Sequence, residues 1–357
     1  MTEIYKKLAT HLDNLPAGFP PTETGVELRI LKRLFNEQEA KIAAKMTMMP
    51  ETAKAAALRT GLDENELAQQ LEIMSKKGLL FRSSKAGEQL FSAAQFVIGI
   101  WEYHLNDLDE GLIKDVNEYL PQLMEKSWLK QKTKQLRVIP VSESISAEIT
   151  VMPYDVAEDI IKKQSKIVVA PCICRREHDI VGDSCDKPKE VCLAFGSGAY
   201  YYEENGLGRS ISQEDALEVL KIGIEAGLVL QPGNSQKPFN ICMCCGCCCQ
   251  VLKNLKTLDS PAKAIDSNHY AKVEPELCTA CEACVDRCHM EAISVDDTAQ
   301  IASAQIAIER CIGCGVCITE CPTDALTLCQ KEKTEQYIPP KNVFETYMNM
   351  AQERGLI

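Results

Sequence analysis

The stretch that decides the fold lies near the end of the chain. There, Cys278-x-x-Cys281-x-x-Cys284-x-x-x-Cys288 is followed by Cys311-x-x-Cys314-x-x-Cys317-x-x-x-Cys321. Every cysteine of the second run lies 33 positions after its counterpart in the first. The residues downstream correspond as well, since Glu291-Ala292-Ile293 matches Asp324-Ala325-Leu326. The segment 272–329 is therefore an internal repeat.

The spacing within each run has a chemical reason. Cysteines three positions apart in a tight loop can turn their sulfurs toward one iron–sulfur cubane, whose four irons each need a thiolate. The fourth cysteine of a run comes too late to reach the same cubane and binds the other one. A pair of zinc sites is the alternative interpretation, but zinc prefers cysteines in pairs and fits such runs poorly.

The segment resembles the bacterial ferredoxins that carry two [4Fe–4S] clusters. The resemblance implies a pseudo-twofold α+β unit with a hairpin strand and a short helix in each half. It implies that one cluster is held by Cys278, Cys281, Cys284 and Cys321, and the other by Cys311, Cys314, Cys317 and Cys288. One departure is visible: His289 follows the first run where Pro322 follows the second, which would expose that cluster or give it a titratable neighbour. Cys329 lies outside the pattern and is expected to be a buried apolar residue.

Charge is concentrated in the same segment. Residues 272–329 contain ten acidic and three basic side chains, so seven of the twelve net negative charges of the chain lie there. Acidic surroundings disfavour the addition of an electron and lower the reduction potential of a cluster. They also suit docking to a basic patch on a redox partner.

The composition limits the remaining possibilities. The chain has 357 residues and 19 cysteines, and residues 1–20 lack an apolar core of signal-peptide length. The longest apolar stretch, Phe91–Trp101, is too short to span a membrane. Cysteines in the cytoplasm stay reduced, so we expect a cytoplasmic protein of an anaerobic or reducing environment that uses them for metal or redox chemistry. The net charge of −12 argues against nucleic acid as a main partner.

The middle of the chain holds ten further cysteines. We predict that they bind metal: Cys172, Cys174, Cys185, Cys192, Cys242, Cys244, Cys245, Cys247, Cys248 and Cys249. Neighbouring side chains cannot readily all reach one metal, so the run 242–249 is expected to divide its thiols between sites, with Gly246 allowing a sharp turn. One or two additional iron–sulfur clusters are the favoured interpretation. A structural zinc site and thiol–disulfide or sulfur-transfer chemistry stay open as alternatives.

Other features of the middle region carry weaker signals. Cys244-Cys245-Gly246 is similar to part of the cysteine-rich domains of heterodisulfide reductases, although the remaining spacing departs from that family. Arg175 and Arg176 are expected at the surface, and His178 in a loop. The Gly196-x-Gly198 and Gly206-x-Gly208 pairs are expected to form plain turns rather than a nucleotide-binding loop.

The first ninety residues contain no cysteine. Apolar residues at helical spacing around Val26–Phe35, helices over Thr52–Arg59 and Glu64–Lys77, a stop at Gly78 and a short strand at Leu79–Phe81 resemble a winged helix-turn-helix. A redox-sensing transcriptional regulator is therefore the alternative function. The candidate recognition helix carries four acids against two bases, which favours docking to a protein over binding to DNA.

Taken together, the sequence predicts an α+β chain. It comprises a winged-helix-like domain (1–90), a mainly helical region (91–165), an α/β cysteine-rich domain (166–260), a ferredoxin-like α+β domain (272–329) and a polar tail (330–357). Within 91–165 and beyond, Phe91–Asn106 is predicted as a helix, Arg137–Val141 as a strand, Pro153–Lys163 as a helix, Ile167–Ala170 as a strand and Ser212–Glu225 as a capped helix. The expected function is that of a non-catalytic electron-transfer subunit, in a multi-cluster protein of the kind found in anaerobes. Its expected partner is a flavin-containing or hydride-handling oxidoreductase, and a homo-oligomer through the N-terminal domain is a further expectation.

Overall fold

The computed structural model describes residues 2–146, 149, 151–296 and 302–357. The helices are α1 (Thr2–Asp13), α2 (Val26–Leu34), α3 (Glu37–Ala43), α4 (Ala53–Thr60), α5 (Glu64–Lys76), α6 (Trp101–Tyr103), α7 (Glu110–Leu123), α8 (Ala157–Lys162), α9 (Ile173–Ile180), α10 (Gly196–Glu204), α11 (Gln213–Glu225), α12 (Gln250–Lys256), α13 (Ala283–Arg287) and α14 (Val343–Glu353). The strands are β1 (Leu80–Lys85), β2 (Glu88–Ala93), β3 (Ile167–Pro171), β4 (Glu190–Phe195), β5 (Arg209–Ile211), β6 (Val229–Pro232), β7 (Asn240–Cys244), β8 (His269–Val273), β9 (Ile293–Asp296), β10 (Ser303–Ile306) and β11 (Leu326–Gln330). This mixture of helix and sheet agrees with the α+β prediction.

The N-terminal region consists of five helices followed by the antiparallel hairpin β1–β2. Thr52 and Asp63 cap α4 and α5, each through a side-chain oxygen that accepts a backbone N–H three residues later. Gly61 and Gly78 follow these helices with positive φ, which glycine adopts at low cost. The two predicted helices are therefore confirmed to within one residue at each end. The winged-helix identity stays a prediction.

The helix predicted over Phe91–Asn106 is wrong. Phe91 belongs to β2 and pairs with Arg82 of β1, and the chain then forms an irregular turn with non-helical dihedrals at Gly99. Only the three residues Trp101–Tyr103 of this stretch form an α-helix. A run of consecutive apolar residues does not distinguish a helix from a buried strand. Pairing across the hairpin decides the outcome here.

Two elements predicted before the sheet also differ. Arg137–Val141 forms only isolated bridges, so the strand predicted there is wrong. Pro153 opens a single 3-10 turn, and the α-helix starts afresh at Ala157 instead of running on from the proline. The buried Arg137 explains this turn, because its guanidinium binds Asp155 at 2.9 Å and also the Tyr154 carbonyl.

The cysteine-rich region is built on a five-stranded sheet with the order β5-β3-β4-β7-β6. All of its pairings are antiparallel, so the prediction of an α/β domain, in the sense of a parallel sheet, is wrong and the region is α+β. The strand at 167–170 and the helix capped by Ser212 are confirmed. Cys242 and Cys244 are two positions apart on β7 and therefore share one face of the sheet.

In the ferredoxin-like segment, β8 pairs with β11 and β9 with β10, both antiparallel. The first half contributes the short helix α13, whereas the corresponding piece of the second half is a 3-10 turn at Ile318–Glu320. The pairing of the first strand with the last closes the unit. It also brings the beginning and the end of the repeat together, so the fourth cysteine of one run can lie beside the first three of the other.

The hydrophobic core runs across the predicted boundaries. Apolar residues of the N-terminal helices pack in one cluster with Tyr201, Tyr202 and Leu207 of the sheet region. The last segment, expected as a polar tail, contains the packed helix α14, on which Met350 is buried. No helix among the described residues is long and apolar enough to cross a membrane.

Candidate metal centres

The structure brings the predicted ferredoxin cysteines into two separate cavities. The outer cavity has a volume of about 350 Å³ and is lined by Cys278, Cys281, Cys284 and Cys321. The inner cavity has a volume of about 400 Å³ and is lined by Cys288, Cys311, Cys314 and Cys317. Each cavity thus receives three cysteines from one run and the fourth from the other. The thiol sets are those that the resemblance implies, and their binding of iron stays a prediction.

Backbone N–H groups point at several of these sulfurs. Cys278 Sγ accepts from Ala280 at 3.4 Å and from Ala304 at 3.3 Å. In the inner cavity, Cys311 Sγ accepts from Ala271 at 3.4 Å, and Cys288 Sγ accepts from Ala292 at 3.3 Å. Such bonds stabilise the thiolate form and raise the reduction potential of a cluster bound to it. The donor set therefore fits iron–sulfur clusters.

The two halves repeat their backbone strain as well as their cysteines. Ala280, Glu282 and Glu291 have positive φ, and so do the residues 33 positions later, Gly313, Gly315 and Asp324. Glycine occupies this conformation only in the second run, for which packing gives the reason. A Cβ on Gly315 would lie 2.1 Å from the Ser144 hydroxyl oxygen, whereas its counterpart Glu282 is exposed; a Cβ on Gly313 would lie 2.1 Å from the His269 carbonyl oxygen. The strained turns shape both cysteine loops, and glycine is required where the loop packs against the rest of the chain.

Six of the ten middle cysteines line a third, central cavity. Its volume is about 770 Å³, roughly twice that of either ferredoxin cavity. The six are Cys172, Cys174, Cys192, Cys242, Cys244 and Cys249. The opposite wall is apolar and includes Val97, Ile98, Trp101, Leu120 and Leu123.

These six thiols contact one another in a chain. The pKa of Cys242 lies well below the ordinary thiol value because the Cys192 and Cys244 thiols donate hydrogen bonds to it. The pKa of Cys249 is lowered in the same way by Cys174 and Cys244. The donors are shifted oppositely, and the pKa values of Cys174, Cys192 and Cys244 are raised well above normal. The cavity therefore already favours thiolates at alternate positions, the form in which cysteine binds metal.

Side-chain amides add to this environment. Asn240 Nδ2 donates to Cys242 Sγ at 3.3 Å, and Gln231 Nε2 lies 3.8 Å from Cys249 Sγ. Both are buried residues of β7 and β6. Like the backbone N–H groups of the ferredoxin loops, they supply donors to sulfur in a site shielded from water.

The other four middle cysteines form a compact group, here called the thiol quartet: Cys185, Cys245, Cys247 and Cys248. Their sulfurs all lie within 4.8 Å of one another. Cys185 comes from the loop between α9 and β4, and the other three come from the turn that follows β7. The ten cysteines are therefore divided six and four, as expected for a run that splits its thiols. The division cuts across neighbours in the sequence, since Cys244 and Cys245 go to different sites.

Two residues near the central cavity, Arg175 and Glu102, lie in positions that the sequence did not predict. Arg175, expected at the surface, is 2% exposed, whereas Arg176 is exposed as predicted. Burial alone would lower the pKa of Arg175, but the nearby Cys172, Cys245 and Cys244 raise it above the ordinary guanidinium value, so the side chain keeps its charge. Its Nη2 donates to the Met243 carbonyl at 3.0 Å.

Glu102 is the second such residue, and no sequence pattern pointed to it. It lines the central cavity, and burial raises its pKa to about 8, with Cys242 and Cys172 adding to the shift. The Gly99 N–H donates to its Oε2 at 2.7 Å. At neutral pH the site thus contains a protonated carboxyl group beside the thiols. The apolar run 91–101 that was predicted as a helix is the segment that brings it there.

His289 joins the ferredoxin segment to the cysteine-rich turn. Its Nδ1 accepts from the Gly246 N–H at 3.2 Å, and its Nε2 lies 2.7 Å from the Gly227 carbonyl, to which it donates. Burial lowers the pKa of His289, so the ring is neutral. Gly246 does not have positive φ, so the sharp turn expected at this position does not use the conformational freedom of glycine. A side chain at Gly246 would instead meet His289, since a Cβ would lie 3.0 Å from its carbonyl oxygen.

The remaining candidates have structural roles. His178 lies on α9 rather than in a loop, is buried, and hydrogen-bonds through Nδ1 to the Asp183 carbonyl at 3.1 Å. Gly206 forms the turn after α10, as expected of a plain turn. The plain turn predicted at Gly196 and Gly198 is wrong, because both lie in the first turn of α10, which follows β4 directly. Cys329 lies on β11 and lines none of the three cavities; it is partly rather than fully buried.

Comparison with known proteins bears on one part of the chain. Residues 277–325 match the family described as the 4Fe-4S dicluster domain. This segment is ferredoxin-like. The match confirms the iron–sulfur interpretation of the duplicated cysteine runs. No curated protein and no solved structure matches the chain.

Proposed function

We propose that this protein relays single electrons through two [4Fe–4S] clusters in the ferredoxin-like segment and a further iron–sulfur cluster in the central cavity. The clusters supply the one-electron chemistry, and the chain supplies thiolates, hydrogen-bond donors and apolar shielding. The observation that carries the proposal is the enclosure of six thiols in one cavity beside the ferredoxin segment. Those six do not form a set compact enough for a single ion, which favours a cluster of several irons.

The packing supports an order for the three cavities. Met290, Ala292 and Ile312 line the inner cavity and lie in the same apolar cluster as Cys244 and Cys249 of the central cavity. The outer cavity lies at the other end of the ferredoxin unit, where Cys281 and Glu282 are exposed. An electron accepted at the exposed outer site would therefore pass the inner site on its way to the central one.

The ferredoxin segment is held against the sheet region by directed contacts. Arg310 donates to the carbonyls of Leu258 and Lys256, outside the segment, at 2.8 and 2.9 Å, and to the Met290 carbonyl within it at 3.0 Å. Arg287 donates to the Glu225 carbonyl at 2.8 Å. Two of the three bases in an otherwise acidic segment are thus used to fix its orientation. Rigid placement of successive redox sites is what a relay requires.

A redox protein with a basic patch fits the acidic outer end of the molecule. Glu274, Glu276 and Glu282 are exposed there. We propose docking at this edge, with a flavin-containing oxidoreductase as the candidate partner. The N-terminal region shares its core with the sheet, so removing residues 1–90 would uncover apolar surface and would not test docking cleanly. Its use as a docking or dimerising platform and the cytoplasmic location stay predictions.

Nothing in the described ranges favours the alternative of a transcriptional regulator. Helix α5, the candidate recognition helix, is capped by Asp63 and has Glu64 and Glu66 in its first turn; all three are exposed. Carboxylates at this end would face DNA phosphates with like charge. The same three residues are well suited to their helical position, since acidic groups stabilise a helix N-terminus.

The test is the iron and acid-labile sulfide content of the anaerobically purified full chain, with variants at each cavity. We expect about twelve irons per chain, four from each cluster. Cys174→Ala in the central cavity and Cys317→Ala in the inner cavity should each remove one cluster, and Cys329→Ala is the matched control that should remove none. About eight irons in the wild-type chain, unchanged by Cys174→Ala, would refute a central cluster.

A further inference from the structure

We propose that the thiol quartet, Cys185, Cys245, Cys247 and Cys248, binds a single zinc ion in a site separate from the central cavity. The proposal does not depend on electron transfer. It assigns the four cysteines that the relay does not use, and it makes the cysteine-rich turn a junction of two chemically different sites.

The spacing of the sulfurs supports one ion. Four thiolates at about 2.3 Å from a tetrahedral zinc ion lie about 3.8 Å apart. The Cys247 and Cys248 sulfurs are 3.7 Å apart, and all four lie within 4.8 Å of one another. A four-iron cubane holds its thiolates farther apart, because each binds a different iron. The ferredoxin cysteines show that wider spacing: among the described residues, the quartet alone forms so compact a set of ligands.

The position of the loop that carries Cys185 is evidence for a metal ion bound by the quartet. Residues 181–186 are exposed except for Cys185, whose side chain is the one turned inward. It meets a turn 60 positions away in the sequence, formed by Cys245, Cys247 and Cys248. On the far side, the Gly246 N–H is fixed by His289. Two segments without regular structure thus present four thiols to one point, as in a structural zinc site that joins loops.

The burial of Arg175 is a second observation that favours a negatively charged metal centre at the quartet. Four thiolates around one divalent cation carry two net negative charges, and a buried charge needs compensation nearby. Arg175 is 2% exposed and lies between the two groups of thiols, near Cys172 and Cys244 of the central cavity and Cys245 of the quartet. Its Nε and Nη1 have no acceptor that meets hydrogen-bond geometry in the part of the chain that the structure describes. A guanidinium left with free donors in this position fits an anionic thiolate centre.

The ligand set limits the metal to zinc or iron. Four thiolates are soft donors that favour zinc or iron over hard cations, and four protein ligands complete the tetrahedron and leave no open position. Zinc in such a site is structural. The quartet would therefore hold the loop 181–186 against the turn, next to the redox sites but without taking part in electron transfer.

The experiment measures zinc and iron together in the anaerobically purified full chain. We expect about one zinc per chain. Cys247→Ala should reduce zinc at least tenfold and leave the iron content unchanged, whereas the matched variant Cys174→Ala should lower iron and retain zinc. A wild-type chain without zinc, or loss of iron in Cys247→Ala with zinc retained, would overturn the proposal. One additional iron in place of zinc would overturn it as well.

A second measurement needs no variant that could fail to fold. The protein is produced with cobalt in place of zinc, and its visible spectrum is compared with that of the zinc form. We expect the intense bands of tetrahedral cobalt bound to thiolate, over the broader absorption of the clusters. Their absence from cobalt-grown wild-type protein that contains its full iron would overturn the quartet site. The iron count tests the central cluster separately, so the two proposals can fail independently.

Discussion

Replacing Arg175 by glutamine should lower the reduction potential of the cluster proposed for the central cavity. The guanidinium is buried, keeps its charge and lies beside Cys172 and Cys244 of the central cavity. A positive charge near a cluster stabilises the reduced, more negative state. Its removal therefore makes the added electron less favourable.

The order of magnitude of the effect follows from Coulomb's law for a charge close to the ligands of the cluster. A unit charge about 5 Å away contributes about 3 kcal/mol at an effective dielectric constant of about 20. For a one-electron couple, 1.4 kcal/mol corresponds to about 59 mV, which gives an upper limit of about 130 mV. Because the charge is spread over the guanidinium, we expect a decrease of about 50 to 130 mV. Glutamine reaches only about as far as the arginine Nε, so the hydrogen bond from Nη2 to the Met243 carbonyl is removed together with the charge.

The assay is a redox titration of the full chain followed by electron paramagnetic resonance. Arg176→Gln is the matched control, because Arg176 is the next residue in the sequence, carries the same charge and is exposed. It should move the potential by less than about 20 mV, since exposed charges are screened. The two ferredoxin signals provide an internal control. Equal shifts in both variants, or no shift in Arg175→Gln, would refute the role assigned to the buried charge.

Three further predictions concern other parts of the molecule. Glu102 is protonated at pH 7, so Glu102→Gln should leave the reduction potential of the cluster proposed for the central cavity unchanged at that pH. The variant should lack the fall in potential that the wild type shows above the Glu102 pKa of about 8. Identical pH profiles of the two proteins in a redox titration would contradict this. Gly313→Ala should reduce the free energy of unfolding by about 3 kcal/mol, from backbone strain and overlap with the His269 carbonyl. Gly25→Ala has similar φ but open space and should cost only about 1 kcal/mol; equal losses in urea denaturation would show that packing is not the cause. Burial lowers the pKa of His269 to about 4 from 6.5, so the unfolded chain takes up a proton at higher pH than the folded chain does. The stabilisation of the fold by the neutral ring is therefore complete above pH 6.5 and is lost as the pH falls from 6.5 toward 4. Going from pH 7.5 to 5.5 should cost the wild type about 1 kcal/mol more than His269→Phe, and equal losses would contradict the assignment.

The ferredoxin segment could be predicted because its information is local. Three cysteines of each run lie in one loop, and the repeat displaced by 33 positions shows that the loop occurs twice. The family match at 277–325 confirms this part. The helices capped by Thr52, Asp63 and Ser212 were predictable for the same reason, since a cap and its helix are neighbours in the chain.

The run Phe91–Trp101 shows where prediction from local sequence fails. Its apolar character was clear, but the segment contributes a hairpin strand, an irregular turn and one wall of the central cavity. Which form it takes depends on a partner strand and on the side chains it covers. Neither is encoded within the run itself.

By itself, the sequence determined that this is an iron–sulfur protein with a duplicated cysteine loop, because ligand spacing within a loop limits which metal centre the loop can enclose. Only the tertiary structure decided how the ten other cysteines divide. Cys244 and Cys245 are adjacent, yet an extended chain sends successive side chains to opposite faces, so one lines the central cavity and the other joins Cys185. Arg175 and Arg176 are likewise adjacent, and one is buried between the two sites while the other is exposed. Such assignments depend on which distant segments meet across the sheet, and no spacing along the chain specifies that.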